Sequence, residues 1–518
     1  MDLKGTSKSY EENECNNALV DKGKQLKLEL HWRHSVKQIL AACIAHSLVI
    51  QVGINMTFSA VLLPQLRDER SEIKINIHQA SWIASIVTAS FPFGALTIGL
   101  LMDKFGRKKM CMLTAVPFLA SWTLHYFATN VWYIYTGRMI AGFGGGLSTV
   151  AIVYVSEISH LKYRPMLLTL NSVFVTSGIL LTCVLGFGLH WTTMVMVFFV
   201  LALLSMVGLC FIPESPYWLM VFKNDKLACT KSLERLYKEA TIVEEQYEAI
   251  SRIAQTHANR LNTEQSQLLR LKDQLSFFKS PIVRTPMIIL LILFIFQQLS
   301  SAYVILFYAV DIFRKIAGNF RYIGLIDEFS ALILLGSIRF TMAIILAIIS
   351  NKVGRRVLMF CSAVGMIATS FVLGLYMHLT RGGHVDAIND STTSQNFNIA
   401  NESNGTIAVV LVLCYICFSS CGWLVIPWTL IGELLPVKVR GVLGGVMVSL
   451  AYILMSIIVK RAPFVMEAVS LEFIFLGLSV VNICGLVFMY FFLPETLGKS
   501  FNDIANHFSK RKYWVANE

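Results

Sequence analysis

Long apolar runs alternate with shorter polar ones along the whole chain. Twelve runs of about 20 residues are apolar enough to cross roughly 30 Å of hydrocarbon as a helix. Their approximate limits are 38–63, 80–101, 110–128, 131–155, 167–189, 193–212, 287–308, 329–350, 357–379, 407–430, 441–459 and 473–493. The pattern predicts an all-α membrane protein with twelve transmembrane helices. The longest polar segment, 213–286, carries Leu227, Leu233 and Leu236 at helical spacing among Lys, Glu and Gln. It predicts short cytoplasmic helices that link two six-helix halves. The expected organisation is a tail at 1–37, a half at 38–212, the linker at 213–286, a half at 287–493 and a tail at 494–518.

Composition sharpens this reading. Of 518 residues, 55% are hydrophobic and 15% charged, whereas soluble domains are about a quarter charged. That excludes an ordinary cytosolic enzyme, a disordered chain and a disulfide scaffold. Most of the 11 Cys lie inside apolar runs and read as small hydrophobes. The first 35 residues are polar, so no cleavable signal peptide is expected.

The net charge of +12 has a sided distribution. An even number of spans puts both termini on one face. With cytoplasmic termini, 33 of the 44 Lys and Arg lie inside, 9 lie outside, and Arg138 and Arg339 lie within spans. This is the positive-inside bias, and it accounts for the basic charge without nucleic acid. The loop 380–406 then faces outward, and its three sequons make Asn389, Asn401 and Asn404 candidate glycosylation sites.

The two halves repeat their motifs. Asp103-Lys-Phe-Gly-Arg107 follows span two, and Asn351-Lys-Val-Gly-Arg355-Arg356 follows span eight. Glu157 and Arg164 follow span four, as Glu433 and Arg440 follow span ten. Pro213-Glu-Ser-Pro follows span six, and Pro494-Glu-Thr-Leu-Gly follows span twelve. Three motif pairs at matching positions mark a duplicated transporter with its site between the halves. Asp103, Arg107, Glu157, Arg164, Arg355, Arg356, Glu433 and Arg440 are the candidate gate, a charge cluster at the cytoplasmic rim that clamps the halves together in one state.

These motifs, with Arg138, the Gly144-Gly145-Gly146 run, Gln297-Gln298-Leu-Ser300, Phe307-Tyr308 and Ile426-Pro-Trp428, resemble the sugar porter family of the major facilitator superfamily. The likeness runs from about residue 38 to 505, and Gly432-Glu-Leu-Leu-Pro436 is most similar to the trehalose-transporter-like branch. The resemblance implies the major facilitator fold, facilitated uptake of a sugar such as trehalose or glucose by alternating access, and no cofactor. It implies a multi-pass plasma-membrane protein that works as a monomer with the bilayer and a small solute as partners. The substrate-binding positions it implies are Asn55, Arg138, Ser172, Gln297, Gln298, Tyr303, Tyr308, Arg339 and Trp428.

Depth agrees in part. Gln297 and Gln298 lie roughly 15 Å into span seven, near mid-membrane. Their amides offer donors and acceptors to sugar hydroxyls, or alternatively bind helix to helix. The chain also departs from the family pattern. Where the family has Ser-Gly-x-Asn after the two Gln, this chain has Ser300-Ser301-Ala302-Tyr303. Arg339 replaces an Asn, roughly 18 Å from the inner end of its span. A charge there either faces the solute path, which favours an anionic or carboxylated solute, or is satisfied by backbone carbonyls. Asn55 stands where proton-coupled relatives carry an Asp, so passive uniport is favoured over proton symport. Two further readings remain open: a diverged, non-transporting sensor and a carrier of anions. No nucleophile–base pair, metal cluster or phosphate loop supports an enzyme.

Overall fold

The structure is a computed structural model that describes residues 36–69, 71–160, 163–262, 281–317, 328–349, 352–387, 394–435 and 440–497. Among these residues the regular structure is helical throughout. The first half contains α1 (Val36–Arg67), α2 (Ile77–Phe105), α3 (Arg107–Tyr126), α4 (Val131–Leu147), α5 (Thr149–Ile158), α6 (Arg164–Gly188) and α7 (Trp191–Phe211). The linker forms α8 (Pro216–Val221), α9 (Lys226–Leu236) and α10 (Ala240–Asn262). The second half contains α11 (Pro281–Leu299), α12 (Ala302–Phe307), α13 (Ala309–Ala317), α14 (Glu328–Ile349) and α15 (Arg355–Ala387). It continues with α16 (Ser394–Cys421), α17 (Ile426–Leu434), α18 (Arg440–Ala468) and α19 (Leu471–Phe492).

Ten helices among the described residues, α4 and α5 counted as one and α16 with α17 as another, are long and apolar enough to cross a membrane. The charged helix α3 and the broken helix α11–α13 fill the third and seventh positions, which gives twelve crossings. The predicted limits are refined in three places. The fourth span breaks at Ser148, between α4 and α5. The tenth breaks at 422–425, where Pro427 restarts the helix within its first turn. The expected loop 380–406 is largely helical, because α15 continues to Ala387 and α16 begins at Ser394. Asn389 lies outside the described residues, and Asn401 and Asn404 are described as backbone only.

The break in the seventh span has a specific chemistry. Ser301 adopts φ 57°, ψ 12°, the left-handed region. Glycine reaches that region freely, whereas a Cβ costs roughly 1–2 kcal/mol. This is the position at which the family pattern has Gly. The break is held by Tyr415, whose hydroxyl donates to the Ser300 carbonyl at 2.6 Å and accepts from Asn482 at 3.3 Å.

The linker is anchored on the first half. Trp218 Nε1 donates to the Asp103 carbonyl at 2.8 Å, and Ser232 Oγ to the Glu214 carbonyl at 2.5 Å. Tyr237 donates to the Ile158 carbonyl at 2.9 Å. Burial pushes the Tyr237 phenol well above its ordinary pKa, so it stays a donor.

Three glycine-related substitutions are expected to separate in thermal unfolding of the purified protein. Ser301→Gly raises stability by about 1 kcal/mol by relieving the left-handed serine. Gly477→Ala, with nothing within 4 Å of the added methyl, raises it by about 0.5–1 kcal/mol through helix propensity. Gly354→Ala lowers it, because the methyl falls 2.2 Å from Glu495 Oε2.

Candidate functional site

At one end of the bundle, each half builds the same charged cluster. In the first half, Glu214 Oε1 accepts the backbone N–H groups of Arg107 (2.8 Å), Lys108 (2.9 Å) and Ser215 (2.9 Å). A carboxylate thus caps the N-terminus of α3, where unpaired N–H groups and the helix dipole favour negative charge. In the second half, Glu495 accepts from the backbone of Arg355 (2.9 Å) and Arg356 (3.1 Å) and from Thr496 and Leu497, so it caps α15 in the same way.

The side chains repeat too. Arg107 Nε donates to Glu157 Oε1 at 3.0 Å, and Arg355 Nε to Glu433 Oε1 at 3.1 Å. The other oxygen of each Glu accepts a hydroxyl, Ser215 on Glu157 and Thr496 on Glu433. Lys108 reaches the Cys210 carbonyl at 2.8 Å, and Arg356 the Tyr490 carbonyl at 2.6 Å. Gly106 and Gly354 admit the capping carboxylates. A Cβ there would lie 2.6 Å from Glu214 Oε2 and 2.2 Å from Glu495 Oε2. Asp103 adds a second anion to Arg107, at 3.2 Å.

In this state the described rim pairs do not join the halves. The pairs Arg107–Asp103, Arg107–Glu157 and Arg355–Glu433 each close within one half, and the capping Glu beside each cluster directly follows the last helix of the same half. Arg164 donates to the Ser159 carbonyl at 3.4 Å and leaves Nε unpaired. The side chain of Arg440 lies outside those described.

Contacts between the halves among the described residues gather towards the opposite end. Arg67 Nη1 meets Asp311 Oδ2 at 2.8 Å. Lys460 Nζ sits 3.3 Å from the centre of the Trp82 ring, and the His78 and Phe464 rings are 5.0 Å apart. Deeper in, Phe91 of α2 and Tyr452 of α18 stack at 3.7 Å and 14°. Beside that stack a cavity of only about 10 Å³ is lined by Asn55, Met56, Phe91 and Tyr452, at most about one water's worth of space.

The predicted binding residues divide into occupied and open groups. Arg138 is fully buried and has an acceptor at each nitrogen: Nε donates to the Ile83 carbonyl (3.1 Å), Nη1 to the Asn55 carbonyl (2.8 Å) and Nη2 to Ser59 Oγ. Its role here is to join α1, α2 and α4. Gln297 Nε2 donates to the Trp423 carbonyl at 2.7 Å, and Tyr303 Oη to the Leu424 carbonyl at 3.4 Å. Both serve carbonyls orphaned by the break in the tenth span, a helix-to-helix contact in this state. Gln298 donates to Gln297 Oε1 at 3.3 Å, and Tyr308 to the Val459 carbonyl at 3.2 Å. The Ser172 carbonyl receives the Thr176 hydroxyl at 2.9 Å.

The open groups are Asn55 and Arg339. Asn55 Nδ2 donates to the Gln51 carbonyl at 2.9 Å, while the buried Oδ1 has no partner. Arg339 is 6% exposed, and its Nε and Nη1 have no partner. An aromatic wall connects the two. Tyr452 lies 5.3 Å from Trp428, Trp428 donates to Tyr303 Oη at 3.2 Å, and the Arg339 guanidinium lies 6.0 Å from the Tyr303 ring. Phe294 closes the wall behind Trp428 at 5.0 Å. Sequence reasoning missed Phe91, Tyr452, Phe294 and the Arg67–Asp311 pair, and it placed Glu214 and Glu495 in a repeated motif without assigning them the helix caps. Only the two Glu carried a signal, their matching Pro-Glu-Ser/Thr contexts.

The duplicated rim has a clean test in a double-mutant cycle. Glu157→Gln and Glu433→Gln each remove one ion pair and are expected to cost about 1–3 kcal/mol in unfolding. Because the two Glu share no described partner, the double mutant is expected to be additive within about 0.5 kcal/mol. Coupling seen in transport rate but not in unfolding means that the clusters meet in another state.

The model of the family described as Sugar (and other) transporter matches residues 41–508. Facilitated trehalose transporter Tret1 of Polypedilum vanderplanki is 29% identical over 472 residues, covering 90% of this chain and 87% of the relative. Solute carrier family 2, facilitated glucose transporter member 8 of Bos taurus is 30% identical over 479 residues, covering 91% and 94%. The fold is similar to a solved structure of the proton:xylose symporter XylE bound to 6-bromo-6-deoxy-D-glucose, with a TM-score of 0.69, 20% identity, and 92% and 100% of the two chains covered. It is also similar to the inward open conformation of XylE from E. coli, with a TM-score of 0.66, 19% identity and coverage of 90% and 98%. These matches run the length of the twelve-helix core, and the chain belongs to the Sugar (and other) transporter family.

Proposed function

We propose that the protein is a passive, alternating-access carrier of a sugar or sugar-like solute in the plasma membrane, active as a monomer. The charged end is cytoplasmic, in keeping with the distribution of Lys and Arg. The observation that carries the reading is the rim. Each half secures its own cluster through its own capping Glu, so the halves can rock without breaking either. Among the described residues the halves meet at the outer Arg67–Asp311 pair and, deeper in, at the Phe91–Tyr452 stack, along the packed α2–α18 and α6–α14 faces. The structure is then an outside-closed state, and outward opening requires these contacts to part.

The site chemistry suits a hydroxylated ring. Trp428 and Tyr452 offer flat faces, and the open Asn55 Oδ1 accepts a hydroxyl. The trehalose and glucose carriers among the relatives support the solute class. Gln298 and Ser172 become contacts once the halves separate.

The coupling is passive. Asn55 holds the place of a carboxylate, and an amide does not titrate in the physiological range. The carboxylates Glu157 and Glu433 are committed to Arg107 and Arg355 at the rim. Proton coupling is the second reading. It rests on His46, buried in α1 with Nε2 3.0 Å from the Leu167 carbonyl and Nδ1 unpartnered.

Uptake of labelled trehalose and glucose into proteoliposomes separates the two. The expected result is saturable uptake, accelerated by unlabelled solute on the far side and unchanged by a protonophore. Uptake that collapses with the protonophore and with His46→Phe supports the second reading. No uptake of either sugar removes the substrate assignment.

A further inference from the structure

Arg138 and Arg107, the other two buried arginines among the described residues, are well supplied. Arg138 gives three hydrogen bonds to carbonyl and hydroxyl oxygens. Arg107 meets Asp103 and Glu157 and donates to the Met102 carbonyl at 3.1 Å. Arg339 is different. It is 6% exposed, its Nε and Nη1 have no acceptor, and no described carboxylate lies within ion-pair distance. Its described neighbour is the Tyr303 ring at 6.0 Å, a contact that offsets only part of the desolvation of a buried charge.

The position of Arg339 is informative. Gly336 lies one turn before it on the same face of α14. A Cβ at Gly336 would be 3.0 Å from Cys183 Sγ and 3.2 Å from Leu180 Cα, both on α6 of the other half. Residues three apart share a helix face, so Arg339 lies on the face that meets the opposite half. The same guanidinium borders Tyr303, whose hydroxyl accepts from Trp428. The unsatisfied donors therefore adjoin the aromatic wall of the proposed solute path.

We infer that Arg339 is the anion-recognising residue of that path and that the carried solute is a sugar acid, a hydroxylated ring bearing a carboxylate. This rests on the carrier reading above and names its substrate class. A carboxylate offers two oxygens to the open Nε and Nη1, and such charge-assisted pairs are roughly twice as strong as neutral ones. A hydroxyl of the same solute donates to Asn55 Oδ1, the open acceptor in the other half. One ligand thus satisfies a buried donor set in one half and a buried acceptor in the other. A neutral sugar meets the acceptor but leaves the guanidinium charge uncompensated.

Isothermal titration of the full-length protein in nanodiscs tests this with three probes: D-glucuronate, its neutral amide D-glucuronamide, and D-glucose. The expected result is that glucuronate binds the wild type at least tenfold more tightly than the amide. Arg339→Gln erases that ratio, and Arg339→Lys retains part of it. Equal affinity for glucuronate and its amide in the wild type overturns the proposal, whether or not the variants fold. Binding of glucose without acid preference overturns it alone and leaves the carrier reading standing. Binding of none of the three overturns both.

Discussion

The structure depends on one repeated interaction, a carboxylate set against the N-terminus of a helix at the charged end of each half. Glu214 caps α3 and Glu495 caps α15 through backbone N–H groups. A helix start at a membrane face exposes N–H groups that need acceptors, and a charged acceptor also answers the helix dipole. Once capped, the helix holds Arg107 or Arg355 where it meets Glu157 or Glu433. The rest of the rim, the Ser215 and Thr496 hydroxyls and the carbonyl contacts of Lys108 and Arg356, follows from that placement. The cap joins the end of each half to its third helix, so each half is closed on itself.

Self-contained halves allow transport without dismantling the fold. Among the described residues they are joined by the packed faces of α2 against α18 and α6 against α14, with the Arg67–Asp311 pair, the Lys460–Trp82 contact and a column of rings that includes the Phe91–Tyr452 stack. The surface-exposed part of such an interface contributes little individually, which suits contacts that must break in every cycle. The buried polar groups are divided in the same spirit. Arg138, Gln297 and Tyr303 repair helix breaks and crossings, whereas Asn55 and Arg339 keep unused capacity facing the opposite half.

The twelve crossings and the duplicated rim were legible in the sequence because apolar length and charge placement are local signals. The third and seventh crossings are the weak ones in the structure for the same reason: Arg107, Lys108 and Lys109 dilute the third, and Ser300-Ser301 interrupts the seventh. The pairing of charges was harder to read. Glu214 and Arg107 are 107 positions apart, and only the fold shows that the described rim pairs of this state close within a half. At the site, residue type identified polar groups but not which of them the backbone consumes. Gln297 looks like a ligand until the break at 422–425 presents it with a carbonyl. Phe91 and Tyr452 were invisible, because an aromatic ring in an apolar span looks the same whether it faces lipid or the other half. Arg339 was conspicuous by depth, and its face on α14 came only from the packing of Gly336.

The central claim is that two self-closed halves rock about the site while their rims stay intact. Spin–spin distance measurement tests it most directly, with native cysteines replaced and label pairs placed across the halves and within one. The pair across the outer side, at His78 and Phe464, is predicted to gain a longer-distance population when a transported solute is added. The pair within the first half, at Lys109 and Lys223, is predicted to keep a single distance. A changed distance within the half, or an outer pair that never lengthens under conditions of measured transport, contradicts the account.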